Sequence, residues 1–141
     1  MVYPTLSHSI LLLLGLLAAS LLIFSISVAL TTIERDLTKA ELNFIADSAK
    51  NKILEAYSLA NQTSNYTYGI FNLSLPEKIG NKKYSIALSQ NSLLLNTSVK
   101  NQPIETSRYL AIDAELNGIS FIPASIKIEK ENEKIKIELI K

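Results

Sequence analysis

The chain has 141 residues, 14 Lys plus Arg against 13 Asp plus Glu, and a net charge of +1. A balance this close to neutral gives no long-range pull toward nucleic acid or acidic surfaces. There is no cysteine, which excludes disulfides and thiolate metal sites, and the single histidine, His8, leaves no base for a Ser-His-Asp or Cys-His site beyond it.

Charge is absent from the first 33 residues; every Asp, Glu, Lys and Arg follows Ile33. After a short N-terminal segment (residues 1–8) comes an apolar run, residues 9–33. Its stretch Ser9–Leu30 spans 22 residues, about 33 Å of helix, which matches a hydrocarbon core of roughly 30 Å. A secretory signal has a shorter apolar core, about 7–15 residues behind a basic start. Met1–His8 holds no Lys or Arg, so a retained helix is expected rather than a cleaved signal.

Residues 34–60 read as the amphipathic continuation of that helix. Ile33, Leu37, Ala40, Phe44, Ile45, Ala49, Ile53, Ala56, Tyr57 and Ala60 recur mostly three and four apart, with Glu34, Arg35, Glu41, Asp47, Lys50 and Lys52 mostly off the stripe. Beyond Leu30 no Gly or Pro interrupts before Gly69, so one helix is expected from about Ser9 to Ala60. Asn61-Gln62-Thr63-Ser64-Asn65 ends it, because these side chains compete for backbone hydrogen bonds.

From residue 61 to 141 the period changes to two. Phe71, Leu73 and Leu75 alternate with Asn72 and Ser74, Tyr84, Ile86 and Leu88 alternate with Ser85 and Ala87, and Leu93 and Leu95 continue the pattern. Leu110 to Leu116, Ile126 to Ile128, and Ile135 to Leu139 follow. Asn117-Gly118 predicts a hairpin, Gly80-Asn81 separates two strands, and Glu131-Asn132 closes the last pair with Ile128 opposite Ile135 and Glu129 opposite Lys134. Pro76, Pro103 and Pro123 belong at strand ends or edges. The fold class expected is α+β: a long N-terminal helix packed on a small antiparallel β-sheet or sandwich of six or seven strands.

Chemistry is sparse. Asp113 and Glu115 share one strand face, and Glu129, Glu131 and Glu133 cluster near a turn; interspersed lysines make them a solvated face rather than an acid–base or cation site. No enzyme activity, cofactor or metal is expected. Four N-x-Ser/Thr sequons begin at Asn61, Asn65, Asn72 and Asn96. They favour an external domain, while Arg35, Lys39, Lys50 and Lys52 behind the apolar run favour a cytoplasmic one by the positive-inside rule. The reading adopted is external. Gly15-x-x-x-Ala19 has the spacing of close-packed membrane helices, although alone it is ordinary small-residue content.

This order of parts resembles archaeal type IV pilins and their pilin-like relatives, across the whole chain. The stretch from Asn72 to Ile86, with Leu75-Pro76, Gly80 and Tyr84, resembles their strand, Leu-Pro, Gly, Tyr, strand hairpin. The resemblance implies a surface protein anchored in the lipid bilayer, a minor or divergent subunit that assembles with itself or with other pilin-like subunits. Leu12, Gly15, Leu16, Ala19 and Ile23 would be the helix–helix contacts. Such proteins carry a basic leader and, in bacteria, an early Glu; neither is found before Glu34. The alternative is a membrane-tethered extracytoplasmic binding module that contacts a cell-envelope partner without polymerising.

Overall fold

The computed structural model describes residues 4–63, 67–121 and 124–140, with only the backbone of residues 4–7. The expectation for Pro123 and the sequon at Asn65 lie outside the described residues. The elements are α1 (Pro4–Gln62), β1 (Thr67–Asn72), β2 (Ser85–Ser89), β3 (Ser92–Val99), β4 (Gln102–Tyr109), β5 (Glu115–Asn117), β6 (Ile119–Phe121), β7 (Ser125–Glu131) and β8 (Lys134–Ile140). The chain divides into two compact units, Met1–Asp36 and Leu37–Lys141. The first is helical throughout its described residues.

The second unit is an α+β domain, with the helix packed on two four-stranded sheets ordered β1-β7-β8-β5 and β4-β3-β2-β6. All strand pairs are antiparallel except β5 with β8, which is parallel. That pair corrects the expectation of an all-antiparallel domain. Within this unit α1 buries Leu42, Ile45, Ala46, Ala49, Ile53, Ala56 and Ala60. These lie three or four apart, apart from the adjacent Ile45 and Ala46, and form one face. Ile45, Ala49, Ile53, Ala56 and Ala60 of the expected stripe are thus buried, whereas Ile33, Leu37, Ala40 and Phe44 are exposed and Tyr57 is only half-buried. Against the helix lie alternate residues of both sheets, including Ile86, Leu93, Leu95, Ile126, Ile128 and Ile137.

Four side chains make polar contacts that fix the helix in the domain. On the inner face of β4, Arg108 Nε and Nη2 donate to the two carboxylate oxygens of Asp47 at 2.6 and 3.1 Å. Beside it Thr106 Oγ1 donates to Asn43 Oδ1 at 2.6 Å. At the other end the buried Lys130 of β7 points inward. Its Nζ donates to the carbonyls of Ala60, Asn61 and Thr63 at 3.2, 3.4 and 2.7 Å. The last carbonyls of a helix have no partner within it, and a cation there also meets the negative end of the helix dipole. Lys52 Nζ similarly donates to Leu73 O.

Three turn expectations are corrected. Asn117-Gly118 does not close a hairpin: β5 pairs with β8 and β6 with β2, in different sheets. Gly118 instead carries the chain from one sheet to the other at φ +120°, where a Cβ would come within 2.8 Å of Leu139 N. The last hairpin turns at Asn132-Glu133, with Asn132 at φ +57°. Ile128 therefore faces Ile137, Glu129 faces Lys136 and Glu131 faces Lys134. Strands β1 and β2 likewise lie in different sheets. The Gly80-Asn81 turn is closed only by a bridge between Ile79 and Lys82, and Tyr84, 2 % exposed, draws the loop shut by donating from Oη to Pro76 O at 2.6 Å.

Of the proline expectations within the described residues, Pro76 lies outside the strands, and Pro103 sits in the edge strand β4. Strand β4 was not expected, and of the expected Leu110–Leu116 strand only Glu115 and Leu116 lie in a strand, β5.

Candidate functional site

Among the described residues α1 is the one helix long and apolar enough to cross a membrane. In the first unit its large side chains from Ile10 to Ile33 are exposed, Leu16 at 63 %. Leu12, Gly15, Leu16, Ala19 and Ile23 are all exposed, and their 3-1-3-4 spacing puts them on one helix face. A Cβ built on Gly15 meets nothing within 4 Å, so this face carries a shallow notch between Leu12 and Leu16. Three hydroxyls of the segment turn back on the helix. Ser20 Oγ donates to Leu17 O at 2.8 Å, Thr31 Oγ1 to Ser27 O at 2.9 Å and Thr32 Oγ1 to Val28 O at 3.1 Å. A hydroxyl satisfied this way asks nothing of an apolar surrounding.

The described sequons differ in access. Asn61 is exposed but lies within α1, and its carbonyl accepts from Lys130. Asn72 is exposed at the end of β1, where its Oδ1 accepts from Ser74 N at 2.8 Å and forms an Asx turn. Asn96 is half-buried, and its Nδ2, the atom a glycan would join, donates to Glu105 Oε1 at 2.9 Å.

Asp113 and Glu115 line an open groove of about 310 Å³ with Glu133, Lys134 and Lys136. Glu115 stands beside Lys136 in the β5–β8 register. No three His, Cys, Asp or Glu side chains among the described residues gather around one metal position. Elsewhere the outer face of the first sheet is a lattice of opposite charges. Lys127 faces Glu138, Glu129 faces Lys136 and Glu131 faces Lys134 across β7 and β8. Lys127 Nζ also reaches Glu129 Oε1 at 2.7 Å and lies 5.5 Å from the centre of the Tyr68 ring. Each partner holds the other charged: the Glu129 carboxyl is lowered, chiefly by its hydrogen bond from Lys127, and the Lys127 ammonium is raised.

Sequence reasoning missed the outer face of the second sheet. Ile119 and Phe121 of β6, 76 % and 66 % exposed, stand out at one edge, with Leu94 of β3 in the middle and Tyr109 of β4 at the opposite edge. Glu105 is the one charged residue among the described outward positions of this sheet. The signal was in the sequence as Ser-rich alternation through Ser85, Ala87, Ser89 and Ser92, but it carries no meaning until strand order is known. Comparisons with protein-family models, with curated proteins and with solved structures gave no match.

Proposed function

We propose that this chain is a membrane-anchored, pilin-like surface protein that assembles into a filament through its apolar helical segment, with the β domain outside the cell. The observation that carries the reading is the charge-free stretch of α1, whose large apolar side chains from Ile10 to Ile33 are all exposed. Leaving a Leu or Ile side chain in water rather than burying it costs about 1.5–3 kcal/mol. Lipid can cover such a helix, and so can sister helices, and the notch at Gly15 beside Ala19 suits close backbone approach. The β domain then serves as the displayed surface. On this reading it carries glycan at Asn72, which among the described sequons is the exposed one outside the helix, ahead of Asn61 and Asn96. No catalytic role is proposed.

The test is electron microscopy of cells or membranes carrying the wild-type chain and Leu16→Asp. Filaments from the wild type that vanish in Leu16→Asp, with the β domain still folded, support the reading. Filaments unchanged by Leu16→Asp would sink it. Anchored single molecules in both would replace it with the tethered binding module. Protease accessibility on intact cells checks the external orientation.

A further inference from the structure

We propose that the exposed stripe Leu37-Ala40-Phe44 of α1 is one half of a parallel coiled coil. The other half is a helix of a different membrane-anchored subunit, one that carries Lys or Arg beside its apolar seam. The proposal rests on the reading that α1 is anchored in a membrane and assembles there, and it names the neighbour.

The spacing comes first. From Ile33, at the end of the charge-free run, Leu37, Ala40 and Phe44 follow at intervals of four, three and four. The same alternation of threes and fours runs back through Leu30, Ile26 and Ile23 to Ala19, Leu16 and Leu12. All of these residues are exposed. An apolar repeat held strictly to seven residues is the signature of a left-handed coiled coil. A helix that meets only lipid has no need of one.

Position excludes the two nearest covers. Glu34, Arg35, Asp36, Lys39 and Glu41 stand between Leu30 and Phe44, so the hydrocarbon of a bilayer ends before the stripe does. The β domain does not cover it either, since Leu37 is 61 % and Phe44 76 % exposed. Leu42 and Ala46, both buried on the sheets, are two residues from Phe44, about 200° around the helix. The stripe therefore points away from the sheets. The next position of the repeat is Asp47, which Arg108 holds, and the apolar seam ends there.

Charge selects the occupant. The positions beside a seam face those of the partner helix and set its identity. Here they are Glu34, Asp36, Glu41 and Asn43, while Arg35, Lys39 and Lys50 lie off these flanks. In a parallel pair of identical chains Asp36 of each copy would stand against Glu41 of the other. A helix with Lys or Arg at the facing positions turns both repulsions into ion pairs. Anchoring in the same membrane makes the pair parallel, and supplies the local concentration that so short a seam requires.

The chain has no cysteine, so full-length Ala40→Cys carries one thiol, on the seam. It is placed in phosphatidylcholine vesicles with a synthetic heptad peptide that has Leu along its seam, one Cys at the matching position and a lipid at its N-terminus. The peptide is made with Lys or with Glu on its flanks, and disulfide-linked products are counted after mild oxidation. The product with the Lys peptide should exceed both the product with the Glu peptide and the chain–chain product by roughly tenfold. That is the ratio expected from exchanging two repelling surface pairs for two attracting ones. The gap should narrow at high salt. Asp36→Lys with Glu41→Lys should reverse the preference. Phe44→Asp should lower the yield with the Lys peptide although it adds negative charge, which separates a seam from mere attraction to a cation. These positions are exposed, so folding is spared.

Equal yields from the two peptides, or no effect of Phe44→Asp, would overturn the contact. A chain–chain product as abundant as that with the Lys peptide overturns it too, in favour of a second copy, and leaves assembly standing. If nothing links, the contact is overturned, and the filaments of the wild type and Leu16→Asp still decide the assembly reading separately. If the chain does not float with the vesicles, the anchored reading fails and the contact fails with it.

Discussion

The two stretches of α1 meet their surroundings in opposite ways. From Ile10 to Ile33 the large apolar side chains are exposed on every side. After Leu37 the helix buries a single face, built from Leu42, Ile45, Ala46, Ala49, Ile53, Ala56 and Ala60. Four of those seven are alanines, which let the sheets come close to the backbone. The comparison teaches that apolar content alone does not say what a helix packs on. The first stretch has to find its cover outside the domain, while the second brings its cover with it. Substitutions in the first should change assembly without changing folding, and those on the buried face of the second should do the reverse.

The largest effect is expected from Leu16→Asp. A carboxylate at the centre of a membrane helix costs about 2.5–3.5 kcal/mol on insertion scales and more in a dry bundle, so assembly should be lost. The urea midpoint of the β domain should stay put. Next comes Ile53→Ala, which should destabilise the domain by about 2–5 kcal/mol in urea unfolding, as for a buried aliphatic truncation. Phe44→Ala, on the exposed side of the same helix, should fall within about 0.5 kcal/mol of wild type. Equal losses from these two would break the comparison, because they would place Phe44 in the core.

Lys130→Met keeps the stem of the side chain and removes the ammonium that holds Ala60, Asn61 and Thr63. It should cost about 1–3 kcal/mol and speed hydrogen exchange at the end of α1. Tyr84→Phe should cost about 1 kcal/mol through the lost bond to Pro76. Burial pushes the Tyr84 phenol up to about 12. Its contribution is therefore complete below the ordinary tyrosine range near pH 10 and is lost as pH rises through about 12. A stability profile over that window should flatten in Tyr84→Phe.

The smallest effect belongs to Asp47→Asn. The Arg108 guanidinium holds the Asp47 carboxyl below its usual range, first through their hydrogen bond. That stability is present above about pH 4 and is lost as pH falls through the lowered value. Wild type should lose more stability on acidification than Asp47→Asn, by a small margin, because both partners are partly in solvent.

Most of the fold was legible in the sequence, for reasons that also explain the misses. The charge-free run and the alternation through Ile126–Leu139 are strong signals, since each repeats over many residues. The last hairpin was offset by two residues, and a shift of two leaves every side chain on its own face, so alternation could not detect it. Strand β4 was passed over because Thr106 and Arg108 occupy its inward positions; Asn43 and Asp47 satisfy them, more than 60 residues earlier in the chain. Asn117-Gly118 carries a hairpin signal, yet the close approach of Leu139 needs its glycine for a crossing between sheets. The candidate assembly residues were legible as a face of the helix, whereas the outer face of the second sheet depended on strand order and was not.

The grip on the end of α1 has a mechanical side. In a tethered protein, tension enters the domain along this helix. It leaves at Asn43 and Asp47 into β4, at Lys52 into the loop after β1, and at Lys130 into β7. Because β4 and β7 belong to different sheets, the load divides between the two sheets. Lys130 takes its share at the last turn of the helix, at the point where a strained helix would otherwise begin to unwind.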